Sequence, residues 1–223
     1  MRVTFVPDPE ADDALERAEL LLTLRKRGIR DPLLMRAFEQ VPRERFVDPA
    51  CRSLAWVDQA LPISCGQTIS QPAVVALMTE ALDLKPSHSV LEIGTGSGYH
   101  AAILGQIAER VVTLERFRTL AQAAAERLRR LGYTNIEVVV ADGSAGYAPR
   151  APYDRIIITA AVNEVPPALF DQLRQGGVLV APVGPPQDTQ MLTRFALTAD
   201  GIVKREMVPV RFVPLLKGVA QVL

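Results

Sequence analysis

The sequence predicts an α/β fold built on a mostly parallel, doubly wound sheet, with a helical extension before it and an antiparallel strand pair at its end. Three observations carry that expectation. From residue 88 onward, short runs rich in β-branched residues alternate with helical stretches, the pattern of βαβ units joined by right-handed crossovers. A glycine-rich turn, "LEIGTGSGY" at 91–99, joins the first such run to the helix that follows it. The last part of the chain holds two more strand-like runs around Asp200-Gly201, a hairpin signal.

In chain order, 12–27 reads as a helix. Asp12 or Asp13 can cap it, Leu15, Leu22 and their neighbours supply an apolar face, and Arg25, Lys26 and Arg27 suit its negative end. Gly28 stops it. A second helix fits 31–41, with Asp31 at the cap, Pro32 at the first helical position, and Leu34, Ala37, Phe38 and Val41 along one side. Residues 43–71 show no sustained period and contain Pro49, Pro62 and Gly66; ordered connections of that length are usually functional. A helix follows over 72–84.

The parallel runs are then "HSVLEIG", "RVVTLE", "IEVVVADG" and "YDRIIITAAV", with the helices "YHAAILGQIAE" and "LAQAAAERLRRLG" after the first two. "PPALFDQLRQ" predicts one more helix, stopped by Gly176-Gly177 ahead of a fifth run, "VLVAPV". "TQMLTRFAL" and "IVKREMVPVRFVPL" form the closing pair.

Composition narrows the function. A chain of 223 residues can bury a substantial core. Lys plus Arg balances Asp plus Glu, 25 against 25, so a broad phosphate-neutralising face and a nucleic-acid partner are not expected. No apolar stretch approaches the ~20 residues that cross a bilayer, and the beginning of the chain lacks a signal-peptide pattern. A cytoplasmic protein without membrane attachment is expected. Cys51 and Cys65 form no C-x-x-C and sit near no histidine pair, so they read as small buried side chains, with no metal site. His88 and His100 read as structural or exposed.

The glycine turn has a telling spacing. A dinucleotide fingerprint wants G-x-G-x-x-G, but Tyr99 holds the third slot and the third glycine, Gly98, comes one place early. An acid, Glu92, opens the run. This E-x-G-x-G-x-G pattern resembles the S-adenosylmethionine-dependent methyltransferases of the Rossmann-like class. Two more acids stand at strand ends. Glu115, after the second run, can accept both ribose hydroxyls of a nucleoside, and Asp142-Gly143, after the third, can meet an adenine amino group. A nicotinamide oxidoreductase is disfavoured by Tyr99.

Several stretches together resemble the protein-L-isoaspartate O-methyltransferase family: "VPRERFV" (41–47), "GQTISQP" (66–72), "LEIGTGSGY" (91–99), "ADGSAGY" (141–147), "YDRIIITAA" (153–161), "LRQGGVLVAPVG" (173–184) and "VRFVPL" (210–215). Trp56 stands where the family usually has tyrosine, and Ala141 where it has glycine. The resemblance implies a class I methyltransferase fold in a single domain, 1–223. Within it, 1–85 would form a helical extension and substrate-side segment, and 86–223 the S-adenosylmethionine-binding core. It implies methyl transfer from S-adenosylmethionine to the free α-carboxylate of L-isoaspartyl residues in damaged proteins or peptides, by a monomer. Ser70 would be the catalytic residue. Gln67, Thr68, Ile69, Ser70, Glu92, Gly94, Thr95, Gly96, Gly98, Glu115, Asp142 and Gly143 would hold the cofactor, and Ile63, Val213, Pro214 and Leu215 would lie beside the substrate.

An α-carboxylate, with a reference pKa near ~3.5, is already ionised at neutral pH and needs no general base. A neutral hydroxyl suits the work of orienting it. Ser70 or Thr68 can also simply cap the helix at 72, and the two roles are compatible. The expectation for "LPISCGQTISQP" is an active-site wall that also caps a helix. The alternatives are a related methyltransferase with another peptide acceptor, or a non-catalytic homologue that binds S-adenosylmethionine.

Overall fold

The computed structural model describes residues 9–220, with side chains from Asp13 onward. Helix α1, Pro9–Lys26, begins before the expected cap: Asp13 lies inside it, and the Asp12 side chain falls outside the described residues. Its buried stripe is Leu20 and Leu24, whereas Leu15 and Leu22 are 63% and 55% exposed. Two leucine rows compete in "AELLLTL", and packing against α2, Pro32–Gln40, selects the row of Leu20 and Leu24. Asp31 caps α2 as expected, accepting from the N–H groups of Leu33 (2.8 Å) and Leu34 (3.3 Å). Leu34, Ala37, Phe38 and Val41 are buried.

Residues 43–71 fold into short helices of one or two turns and a two-stranded ribbon, β1 (Leu61–Pro62) against β2 (Thr68–Ile69). Helix α3, Pro72–Leu82, follows. The carbonyls at its end are taken by two arginines of the sheet: Arg194 Nε donates to Ala81 O at 2.9 Å, while Arg155 donates to Leu82 O and, at 2.9 Å, to Asp83 O. Cations there also suit the negative end of the helix dipole. The helix that leads away from the ribbon is thereby fixed to the sheet.

The sheet proper begins with β3 (Ser89–Ile93), α4 (Tyr99–Gly105), β4 (Arg110–Glu115), α5 (Arg118–Arg130), β5 (Ile136–Val140) and β6 (Tyr153–Ile158). It closes with α6 (Pro167–Asp171), β7 (Leu173–Val183), β8 (Gln190–Thr198) and β9 (Gly201–Val210). Spatial order is β5-β4-β3-β6-β7-β8-β9, parallel through β7 and antiparallel for the last two pairings. This is the mostly parallel, Rossmann-like sheet with an antiparallel end that the sequence predicts. Helix α6 is shorter than the reading of "PPALFDQLRQ". Gln172 leaves the helix because its side-chain amide bonds Ala145 O and the Tyr147 N–H, and its carbonyl accepts from Tyr153 N.

Side chains of the parallel strands sort by twos onto the two faces. Val90, Val111, Ile157, Val178 and Val180 join an apolar cluster that runs through α1, α2, α3 and α4. Leu91, Val112, Ile156, Ile158, Leu179 and Ala181 join the cluster on the opposite face. Burial on both faces explains why these strands read as continuous apolar runs. The outer strand β9 differs: Lys204, Arg205 and Glu206 are exposed along it, and Pro209 lacks an N–H. No helix among the described residues is long and apolar enough to cross a membrane. Both cysteine thiols are free and, contrary to expectation, only half-buried.

Candidate active site

Strand β3 pairs with both β4 and β6, so the order of strand addition reverses there, and in such sheets ligands enter at the carboxyl ends of the strands beside the reversal. A cleft of about 810 Å³, its open mouth included, lies at that place. Gly94, Thr95 and Gly96 form its floor with Leu114 and Glu115. Gln67, Thr68, Ile69 and Ser70 form one wall, and Val213, Pro214 and Leu215 another.

Gly94, Gly96 and Gly98 have φ of +101°, +52° and +86°, a region that side chains with a Cβ rarely adopt. At Gly94 a Cβ would also run into Thr159 Oγ1, whose hydroxyl holds the carbonyls of Ile93 (2.9 Å) and Gly94 (2.8 Å). Gly98 serves the fold from behind the loop, since its Cβ position faces Ala124 and Leu128 of α5. It does not line the cleft.

Glu115 is the best-defined polar group of the floor. Its Oε2 accepts from Gly96 N at 2.9 Å and its Oε1 from Phe117 N at 3.0 Å. An ionised carboxylate has about four lone-pair positions, so roughly two remain for hydroxyls of a ligand.

The other two acids stand differently from expectation. Glu92 lies beneath the loop, wholly buried and not on the cleft surface; its Oε2 accepts from Thr113 Oγ1 at 2.5 Å and its Oε1 has no partner. Burial, aided by the Glu115 charge and opposed by the Thr113 bond, raises its pKa to about 8. Asp142 bonds the N–H and hydroxyl of Ser144 (2.9 and 2.7 Å) through Oδ1, and Gly218 N (2.7 Å) through Oδ2. Its carboxylate therefore ties the C-terminal segment down, while its neighbours Ala141 and Gly143 line the cleft.

His100, set aside from sequence, lines the cleft. Thr79 donates its hydroxyl to Val75 O, so it accepts from His100 Nε2, 2.9 Å away. Nδ1 is then the bare nitrogen, 4.0 Å from Glu92 Oε1. Burial lowers the His100 pKa to about 3, so at neutral pH this is a contact between neutral groups and not a salt bridge. Ile63 stands behind Gly96, its Cδ1 3.5 Å from where a Cβ would project. Arg116 and Phe117 also line the cleft, outside every motif read from the sequence, and so do Tyr99 and Thr159, which lie within such motifs but were given no place in the site.

The wall carrying Ser70 corrects one expectation. Helix α3 is capped by neither Ser70 nor Thr68. Asp58, upstream, accepts from Ala73 N at 2.8 Å through Oδ1 and from Gln71 Nε2 at 3.0 Å through Oδ2. The Ser70 hydroxyl bonds to no other described residue, and Ser70 is half-buried on the cleft wall.

Comparison with known proteins decides the family. The model of the protein-L-isoaspartate(D-aspartate) O-methyltransferase family matches residues 15–220. The chain belongs to this family. A protein-L-isoaspartate O-methyltransferase of Azorhizobium caulinodans is 55% identical over 216 residues, 97% of this chain and 99% of its own. That of Xanthobacter autotrophicus is 53% identical over 208 residues, 93% and 95% of the two chains. Among solved structures, a protein-L-isoaspartate O-methyltransferase superposes with a TM-score of 0.82 at 31% identity, covering 91% of this chain and 67% of that one. A Plasmodium falciparum member in complex with S-adenosyl-L-homocysteine gives 0.78 at 26% identity, covering 91% and 99%.

The family is S-adenosylmethionine-dependent, and the cleft of this isoaspartate methyltransferase family member fits that group. The positive-φ glycine turn brings bare backbone to the cleft floor, and Glu115 offers spare acceptor positions to a ribose diol.

Proposed function

We propose that the cleft transfers a methyl group from S-adenosylmethionine to the free α-carboxylate of an L-isoaspartyl residue, with Ser70 as the hydroxyl that orients the carboxylate. The observation that carries this assignment is the unspent Ser70 hydroxyl on the wall of the cleft, where helix capping has been taken over by Asp58. S-adenosylmethionine supplies an electrophilic methyl group on a sulfonium. Glu115 would take the ribose hydroxyls, and Gly94, Thr95, Gly96 and Gly143 would form the backbone cradle, with Gln67, Thr68 and Ile69 against the methyl end. Glu92 and Gly98 would act from beneath the loop, by shaping it. Asp142 would act through the segment it restrains.

The chemistry asks little of acids and bases. The acceptor is already ionised, and His100, held neutral by burial, adds no charge beside it. What remains is orientation, which can contribute on the order of 7–11 kcal/mol when reactants are well aligned. Ser70 can donate one hydrogen bond to a carboxylate oxygen and leave the other free to attack. Ile69, Val213, Pro214 and Leu215 exclude water around it, and Ile63 supports the same wall. The amide nitrogen that follows the isoaspartyl residue displaces methanol from the resulting ester to close a succinimide, whose hydrolysis returns some normal aspartate, so the reaction begins a repair.

The reading extends to a monomer acting on damaged proteins or peptides in the cytoplasm, with both parts of the chain working as one domain. It is supported by the balanced charge, by the two free thiols, and by an apolar cluster continuous from α1 into the sheet. The test is transfer of a labelled methyl group to an isoaspartyl peptide beside its aspartyl counterpart. Transfer to the isoaspartyl peptide alone is expected. Equal transfer to both, or to neither while S-adenosylmethionine binds, would assign the cleft another acceptor.

A further inference from the structure

The side chain directly behind Ser70 is a cation. Arg43, in the turn after α2, is fully buried. Its Nε donates to Ala55 O at 2.8 Å, and its Nη2 donates to Ser70 O at 2.8 Å and to Gln59 O at 3.4 Å. The guanidinium lies 4.6 Å from the ring centre of Tyr99, the residue that follows the glycine loop. No carboxylate among the described residues lies within salt-bridge distance of it, and Nη1 has no hydrogen-bond partner. Burial disfavours its charge; the Tyr99 phenol supports it most, and Asp58, the acid that acts on it from further off, is itself engaged by Arg27 at 2.9 Å and by the start of α3. Burying a cation without a paired anion is costly, and a packed apolar side chain would generally serve stability as well or better. The location of this charge therefore calls for a reason.

Resting on the function proposed above, we propose that Arg43 is a positioning and specificity-determining residue. Its fork fixes the peptide of Ser70 to the backbone of the preceding loop, which aims the hydroxyl into the cleft. Its unpaired charge, shielded from solvent by burial, makes the far side of Ser70 favour an ionised carboxylate over a neutral amide. Because the charge acts from behind the peptide unit, it attracts the acceptor without ligating its oxygens, and the attacking oxygen keeps its lone pairs. Arg116, a cation that does line the cleft, is half-buried and donates from its Nε to Gly218 O at 3.1 Å. Salt screens exposed charges far more than buried ones, which separates the two contributions.

The experiment compares wild type, Arg43→Lys and Arg43→Met. It measures competition binding of an isoaspartyl peptide and of its α-carboxamide in the presence of S-adenosylhomocysteine, together with kcat, KM and S-adenosylhomocysteine affinity. Arg43→Met should lower the preference for the carboxylate by about tenfold or more, raise KM and lower kcat, with S-adenosylhomocysteine affinity within about threefold. Arg43→Lys keeps the charge but not the fork, so the preference should return while kcat stays low. Loss of all parameters and of cofactor affinity together in Arg43→Met, or no recovery of preference in Arg43→Lys, would overturn the proposal. If neither variant folds, the wild-type preference between about 0.05 and 0.5 M NaCl decides it. Persistence supports the buried charge, and collapse assigns the preference to exposed cations and overturns it. These binding measurements stand apart from turnover: a wild type that methylates no isoaspartyl peptide would refute the functional reading, not the role of Arg43 in selecting a carboxylate.

Discussion

Glu115→Gln tests the floor of the cleft with the smallest change in shape. The carboxylate of Glu115 accepts from Gly96 N (2.9 Å) and Phe117 N (3.0 Å), so neither oxygen can become an NH2 group without facing a backbone donor. One of these charge-assisted bonds is lost, and a buried N–H is left unmatched. Bonds to charged groups are worth ~1.5–3 kcal/mol, and an unsatisfied buried donor costs a similar amount, so stability should fall by about 2 kcal/mol. The same substitution removes one acceptor offered to the ribose. At ~1.4 kcal/mol per decade, the loss of one such bond weakens cofactor binding by about 10- to 150-fold. Calorimetric titration with S-adenosylhomocysteine reads the affinity, and thermal unfolding without ligand reads the stability. A variant with reduced stability but wild-type affinity would refute the ribose assignment and leave Glu115 as a brace for the glycine loop.

Two more expectations follow from the same geometry. Ser70→Ala removes a hydroxyl that stabilises nothing else among the described residues, so kcat should fall by about 10-fold or more, with cofactor affinity and thermal midpoint nearly unchanged; parallel loss of kcat and affinity would refute the orienting role. Glu92, whose pKa rises to about 8 on folding, holds a proton in the folded chain that the unfolded chain releases near its ordinary value of 4.5. Its contribution is therefore full below the unfolded value and lost as pH rises through about 8. The lowered pKa values of His88 and His100 act in the opposite direction, but only below the ordinary histidine value of 6.5. Between about pH 6.5 and 8 the ligand-free protein should thus lose on the order of 2 kcal/mol of stability, and Glu92→Gln should flatten that slope in denaturant melts. A slope that persists in Glu92→Gln would move the titration to another group.

What the sequence made legible were features enforced by local rules. Three glycines at positive φ leave a fixed spacing in the chain, and Glu115 follows directly from the end of a strand. The strands buried on both faces declare themselves as apolar runs. What it hid were choices made across distance. Asp58 takes over the start of α3 from 15 residues upstream, which freed Ser70 and displaced the expected cap. Asp142 reaches Gly218 over a separation of 76 residues, so the acid at the end of the third run also holds a distant segment, which no local pattern announces. In α1 a second leucine row was available, and only packing with α2 distinguishes Leu20 and Leu24 from Leu15 and Leu22. His100 gave no signal because its polar environment comes from α3 and β3, which only the fold brings to it.

The outer strand β9 has a consequence for the company this family keeps. A repair enzyme meets ageing chains, some of them partly unfolded and carrying unpaired backbone groups that seek the rim of any sheet. Lys204, Arg205 and Glu206 put hydrated charge on that rim beside the exposed Ile202 and Val203, and Pro209 lacks the backbone donor that an incoming strand would pair with. At this edge, charge and a proline work against the addition of a client's strand, so that an enzyme which must handle aggregation-prone chains is guarded against serving as a template for them there.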